Sequence, residues 1–207
     1  EKKGYFLPIN FKSKWISYQQ KEAKQWRFET RYGNDLAQAY RLYTLALAGA
    51  PDLSSMNRLR ETKGISNESR LRLASAYVLA GQKSAGLNLL LKTTIDDNSD
   101  YNYYYYGSAD RNRAMALETL LLLGQKQKAF AMAIKLAKEM SSDQWMSTQT
   151  TAYCLYAMAK FSVNNGAKGI DVQLNKDGKA QTVKTMKTIA DRSLTVKMGS
   201  NGVTLKN

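Results

Sequence analysis

Three apolar helical runs in this chain end on the same kind of phrase. Residues 43–49 read YTLALAG, residues 77–82 read YVLAGQ and residues 120–125 read LLLLGQ. Each closes on a glycine, Gly49, Gly81 or Gly124, and each is followed by a second helical stretch. A glycine just past a helix adopts the left-handed conformation without steric cost and so turns the chain. The pattern predicts a stack of helical hairpins, each reversed at a glycine.

The periodicity fills in the hairpins. Residues 10–30 read as a first helix marked by Phe11, Trp15, Tyr18 and Trp26. Asn34 is read as an N-cap, and Leu36, Ala39, Tyr40, Tyr43 and Leu47 then follow an amphipathic stripe. Pro51 stops that helix from continuing and Asp52 caps a short one through Leu53, Met56 and Leu59. Ser66 opens the next hairpin, with Glu68 in its first turn and Leu71, Leu73, Ala74, Tyr77, Val78 and Ala80 as apolar positions. Ala85, Leu87, Leu90 and Leu91 mark its second arm. Residues 95–107, IDDNSDYNYYYYG, form one long irregular connection. Ser108 caps the third hairpin; Met115, Leu117, Leu120, Leu121 and Leu123 surround its first helix with apolar residues, so that helix is expected to be buried on most sides. Phe130, Ala133, Ile134, Ala137 and Met140 mark its second arm. Ser147 caps a last helix carrying Thr151, Cys154, Leu155, Met158 and Phe161.

Near Asn165 the period changes from 3.6 to 2. Ile170, Val172 and Leu174 alternate with polar residues, Asp177-Gly178 and Asn201-Gly202 are hairpin-turn signals, and Thr195-Val196 and Val203–Leu205 read as strands. The expected fold class is mainly α: an α/α-toroid-like stack of helical hairpins, a partial ring, over residues 1–165, and a short β segment over residues 166–207. The unequal intervals between the three glycines favour a toroid over a tetratricopeptide array, whose period holds near ~34 residues.

Composition excludes several chemistries. The chain has 207 residues, 43% of them apolar, enough to build a core. It has no His, which removes Ser-His-Asp and Cys-His catalysis and His-ligated metal. Its one Cys excludes an internal disulfide. No apolar run reaches the ~18 residues of a membrane span. The net charge of +14 is spread along the chain without a block of like charges, so it reads as solvated helix faces and no nucleic-acid partner is expected. EKKGYFLP lacks the features of a signal peptide, and both ends read as cut from a longer protein.

Three constellations invite a chemical reading. Asp96-Asp97-Asn98-Ser99-Asp100 spells DDxxD, which holds magnesium against a diphosphate when it lines a cavity opposite a second acidic cluster. Here it falls in a connection with no second cluster, so it reads as a turn-forming acidic loop. Tyr103–Tyr106 could stack bases or sugars, but reads as amphipathic tyrosines packing a long connection. Cys154 lies on an apolar stripe without a base and reads as an inert thiol. Ser147, Thr148, Thr150 and Thr151 have no catalytic base, and Thr148 and Gln149 serve a helix start.

In order, EKKGYFLP at 1–8, AYRLYTLALAGAP at 39–51, NESRLRLASAYVLAGQ at 67–82, YGSADRNRAMALETLLLLGQ at 106–125 and STQTTAYCLYAMAKF at 147–161 resemble the thioester-type helical domain of bacterial alpha-2-macroglobulins. The most telling are Gly107, Ser108 and Arg111 as Gly-Ser-x-x-Arg, and the Ser-Thr-Gln-Thr-Thr-Ala-Tyr opening of the last helix. The tail from about 168 looks like the start of the β region that follows that domain.

The resemblance implies a periplasmic or extracellular, membrane-anchored parent that is a broad-range peptidase inhibitor. A peptidase cuts a bait segment and is trapped by the change of shape that follows. Many members also carry a Cys-Gly-Glu-Gln thioester. This chain has none: Cys154 is followed by Leu155-Tyr156. The resemblance therefore implies a non-catalytic structural piece, with no catalytic, thioester, metal or cofactor-binding residue and no cofactor. Its partners would be the rest of the parent chain and, through the parent, peptidases. A partial ring would also self-associate through its uncovered apolar face. The alternative is a helical-repeat module that binds a peptide or protein, and a third reading is an α/α-toroid enzyme with clustered carboxylates.

Overall fold

The computed structural model describes residues 6–29, 33–94, 108–165, 170–176, 179–185 and 203–206. Its helices are α1 (Phe11–Gln25), α2 (Asp35–Leu47), α3 (Leu53–Glu61), α4 (Asn67–Leu79), α5 (Lys83–Leu91), α6 (Ala109–Leu122), α7 (Lys126–Met140) and α8 (Thr148–Asn165). The chain is mainly α, and it divides into two compact units, Glu1–Met158 and Ala159–Asn207.

All three glycines turn the chain as the sequence predicts. Gly49, Gly81 and Gly124 have φ of 79°, 78° and 70°. After α2, Gly49 N–H donates to Ala46 O and Ala50 N–H to Leu45 O, the paired bonds of a Schellman motif. Gly81 and Gln82 repeat this on Val78 and Tyr77, and Gly124 and Gln125 on Leu121 and Leu120. The last carbonyls of α2, α4 and α6 are thereby satisfied, and the next helix can start at once.

The helix starts are set by side chains. Asp52, Ser66 and Ser108 each accept from the backbone N–H three residues on, as expected. Ser147 accepts from Thr150 N–H at 3.2 Å and does the same for α8. Asn34 stands at the N-cap of α2 but does not cap it. Its side chain reaches backwards, accepting from Glu29 N–H and donating to Arg27 O. The Trp26 indole donates to Asn34 O. These contacts need an extended Trp26 (ψ 135°), so α1 ends at Gln25 and not near residue 30.

In the first unit α2, α4 and α6 form a row, with α1 and α3 against α2, α3 and α5 against α4, and α7 against α6. Leu42, Leu45, Met56, Leu59 and Leu73 are fully buried between α2, α3 and α4. Gly86 lets α5 approach α4 closely: a Cβ there would lie 2.8 Å from Ala74 O. α6 is buried on nearly every side, from Arg111 to Leu120, as its composition predicts.

Two later helices depart from their predicted stripes. α7 buries Ala129, Ala133 and Leu136, while Phe130 and Ile134 are exposed. α8 buries Thr150, Cys154 and Ala157, while Leu155 and Tyr156 are exposed. α7 turns its buried face towards α6, α8 ties its own to the start of α6 through Ser108, Asp110 and Arg111, and in both larger apolar residues sit one position away. The second arm of the middle hairpin likewise buries Leu89 and Leu90 and leaves Leu91 exposed.

In the second unit β1 (Ile170–Lys176) pairs antiparallel with β2 (Lys179–Thr185) and with β3 (Val203–Lys206), in the order β2-β1-β3. Lys176 lies opposite Lys179, and Asp177-Gly178 lies outside the described residues. Leu174 lies opposite Gln181 on one side and Leu205 on the other. Thr195-Val196 and Asn201-Gly202 lie outside the described residues.

Candidate functional site: a buried arginine–glutamate–tyrosine cluster

The helices of the first unit bring their polar residues to one junction. Tyr40 and Tyr43 come from α2, three residues apart and so on one helix face. Arg72 comes from α4, Glu118 from α6, and Tyr153 and Tyr156 from α8. Asp35 fixes α2 against α4: its carboxylate accepts from Ser66 N–H, Ser66 Oγ and Ser69 Oγ at 2.7–2.9 Å. Between α4 and α6 the Ser75 and Thr119 hydroxyls bond at 2.9 Å, and Thr119 Oγ1 donates to Leu71 O. These bonds set the depth at which Arg72 and Glu118 meet.

Arg72 donates to Glu118 Oε2 at 2.6 Å, with the two side chains only 1% and 2% exposed. Tyr43 donates to Glu118 Oε1 at 2.7 Å. Arg72 also donates to the Tyr40 hydroxyl at 3.3 Å, and Tyr40 bonds Tyr153. The guanidinium carbon lies 4.4 Å from the Tyr43 ring centre and 4.6 Å from that of Tyr40, with Tyr153 at 6.0 Å. A buried charge is tolerated only when paired and hydrogen-bonded. Here the pairing is a carboxylate on one side and aromatic faces on the others.

Protonation follows from this packing. Burial opposes the charge on Arg72, but Tyr40, Glu118 and Tyr43 outweigh it and hold the guanidinium more firmly protonated than usual. Burial and then the nearby Glu118 push the Tyr43 hydroxyl up, and burial and then Tyr40 push Tyr153 up. At neutral pH Tyr43 and Tyr153 therefore keep their protons and Arg72 keeps its charge. A cavity of about 420 Å³ adjoins the cluster, walled by Tyr43, Leu47, Tyr153 and Tyr156. Arg72 Nε finds no acceptor among the described residues.

The residues singled out from sequence lie elsewhere. Cys154 is fully buried, and its thiol makes a 3.8 Å contact to Asp110 O. Burial, then Asp110, pushes that thiol up to about 11, so it is not a thiolate at neutral pH. Ser108 and Thr150 share a 2.8 Å hydrogen bond that ties α6 to α8, and Arg111 donates to Gln149. Asp96–Asp100 and Tyr103–Tyr106 lie outside the described residues. Among the described residues no three His, Cys, Asp or Glu side chains gather as a metal-binding group. None of the described helices is long and apolar enough to cross a membrane.

Sequence reasoning missed Arg72 and Glu118. The signal was present: Arg72 is the one charged residue between Leu71 and Gln82, and Glu118 the one between Ala114 and Gln125. Two such apolar runs holding opposite signs point to a buried pair.

This geometry defines a helical-hairpin scaffold whose polar centre ties four helices together. The fold is that of a segment of bacterial alpha-2-macroglobulins. The native Escherichia coli protein superposes with a TM-score of 0.66 at 18% identity, over 90% of this chain and 12% of that one. An Escherichia coli structure spanning domain MG7 to the C-terminus gives 0.65 at 19% identity, over 90% of this chain and 30% of that one. The Salmonella protein reacted with methylamine gives 0.64 at 19% identity, over 90% of this chain and 13% of that one. The likeness read from the ordered phrases is thus met at the level of fold. The chain spans a small part of the length of these proteins. No family model and no curated protein sequence matches it.

Proposed function

We propose that this chain is a non-catalytic structural segment of a bacterial alpha-2-macroglobulin-like peptidase inhibitor. Residues 1–165 are the later part of an α/α-toroid thioester-type domain, and residues 166–207 begin the β region that follows. The observation that supports this most is the agreement of two independent likenesses. The ordered phrases of the sequence and the superposition over 90% of the chain lead to the same kind of protein. The Arg72–Glu118 cluster fits a scaffold role, since its charges are satisfied by one another and by tyrosines.

On this reading the parent is periplasmic or extracellular and membrane-anchored, its partners are peptidases, and bait and any thioester belong to other segments. The chain itself has no catalytic, metal, cofactor or thioester residue. Ile134 and Leu155, exposed on α7 and α8, are faces that the remainder of the parent covers, so the isolated chain self-associates.

The test is to incubate the parent, and separately this chain, with trypsin and elastase. The parent retains the cleaved-bait peptidase in a complex that excludes large substrates, and this chain alone leaves both peptidases fully active. Stoichiometric inhibition by the chain alone, or a parent that is cut without trapping, overturns the proposal. A clean monomer at high concentration in sedimentation overturns the self-association.

A further inference from the structure

A second cleft, of about 720 Å³, lies along the face of α5 that carries Ser84, Asn88 and Lys92. These residues are four apart, so they line one side of the helix. Arg60 at the end of α3 and Arg70 in the first turns of α4 form the facing wall. Three cations thus border one cleft, and among the described residues no carboxylate lines it. Arg60 pairs with Glu61 at 3.4 Å, and that pair is exposed enough to exchange partners. Arg60 is propped over the Tyr77 ring at 5.8 Å, and Arg70 donates to Asn67 Oδ1 at 3.0 Å. Both guanidinium groups are therefore held in place while facing the cleft.

The shape narrows the ligand. Ser84 and Lys92 are separated by eight residues of helix, or about 12 Å, which exceeds a single phosphate and matches roughly four residues of extended chain. Asn88, Ser84 and Gln82 offer amides and a hydroxyl suited to backbone peptide groups, over a floor of Ala85 and Leu89. Among the described residues no aromatic ring lines the cleft to stack a base.

We infer that the α3–α4–α5 cleft is a docking site for an extended, Asp/Glu-rich polypeptide segment. Arg60, Arg70 and Lys92 pair with its carboxylates, while Ser84 and Asn88 bond its backbone. This inference does not depend on the parent being a peptidase inhibitor.

The experiment is fluorescence anisotropy of the chain with a labelled hexaglutamate peptide, its hexaglutamine counterpart, inorganic pyrophosphate as competitor, and anionic vesicles. The glutamate peptide binds in low salt and the glutamine peptide does not. Arg70→Gln with Lys92→Gln weakens binding roughly tenfold or more, since two charge-assisted contacts are lost. Lys126→Gln with Lys128→Gln, on α7, changes it less than twofold. Equal loss with the α7 pair shows binding to diffuse surface charge and overturns the inference, as does equal binding of the glutamine peptide. Cleft-dependent binding of pyrophosphate or vesicles without binding of the peptide overturns the polypeptide assignment. Circular dichroism of each variant confirms that the helices are intact.

Discussion

α4 and α6 are closed on nearly every side, whereas α7 and α8 are each closed on one narrow stripe. The first pair buries leucines, serines and an ion pair together; the second buries alanines, a leucine, a threonine and a cysteine and exposes Phe130, Ile134, Leu155 and Tyr156. Apolar content does not explain the difference, since α7 and α8 carry as many large apolar residues as α4. What differs is the number of neighbours. α4 has helices against it from both sides of the row, so even its Arg72 must be buried, and burial then requires Glu118. Among the described helices α7 has extensive contact with α6 alone, so only Ala129, Ala133 and Leu136 are closed off.

The largest break in this comparison comes from the ion pair. Glu118→Ala leaves Arg72 buried without its counter-charge and is expected to cost about 3–5 kcal/mol. Joint replacement of Arg72 by Met and Glu118 by Leu removes both charges and costs much less. Urea unfolding of the three proteins measures this. A Glu118→Ala loss below about 1 kcal/mol would mean that water reaches the pair and that the junction is not closed.

A contrast within α7 sharpens the comparison. Leu136 is fully buried and Ile134 is 56% exposed, only two residues away. At protein concentrations low enough to keep the chain monomeric, Leu136→Ala is expected to destabilise by about 2–4 kcal/mol, and Ile134→Ala to stay within about 0.5 kcal/mol. Similar losses at both positions would show that Ile134 is covered in solution, for example by a second copy of the chain. Repeating the measurement at several protein concentrations separates the two cases.

Gly86 tests how tightly α5 sits on α4. In an exposed helix Gly→Ala would stabilise by about 1 kcal/mol. Here the new Cβ would meet Ala74 O at 2.8 Å and Val78 Cγ2 at 2.9 Å. The backbone oxygen cannot swing aside, so Gly86→Ala is expected to destabilise by about 1–3 kcal/mol. A gain in thermal midpoint would show that the hairpin is looser than its contacts imply.

How much of this was legible in advance depends on the range of the cause. Gly49, Gly81 and Gly124, and the caps at Asp52, Ser66, Ser108 and Ser147, act within five residues, so the sequence carries them in full. Asn34 was misread because its side chain has two local options, and the choice was made by Arg27, Glu29 and Trp26 reaching back from the preceding loop. The helix faces of α7 and α8 were displaced by one position because periodicity finds the large apolar residues, while the buried stripes are mostly small: Ala129 and Ala133 beside Leu136, and Thr150, Cys154 and Ala157. The junction depended on partners far apart in the chain, Tyr43 and Arg72 each meeting Glu118 from a different helix. Only the opposite charges of Arg72 and Glu118, each isolated in an apolar run of its helix, could have signalled it.

Cys154 offers the smallest effect and the finest reading of the α6–α8 contact. Its folded value of about 11 exceeds the ordinary 9.0, because burial and Asp110 disfavour the thiolate. A raised acid of this kind contributes stability below pH 9 and loses it as pH rises towards 11. The contribution is on the order of 2 kcal/mol. Tyr43 and Tyr153 are also held above their ordinary value of 10.0, so both proteins lose some stability from there upward, and the difference between them cancels that loss. Urea unfolding of the wild type and Cys154→Ala between pH 8 and 11 isolates the thiol: the difference between the two should shift in favour of the variant across that range. In parallel, alkylation by iodoacetamide at pH 8 should be slow until the protein unfolds. A pH-independent difference together with rapid alkylation would mean that α8 leaves α6 readily, and that its single narrow stripe does not hold it in place.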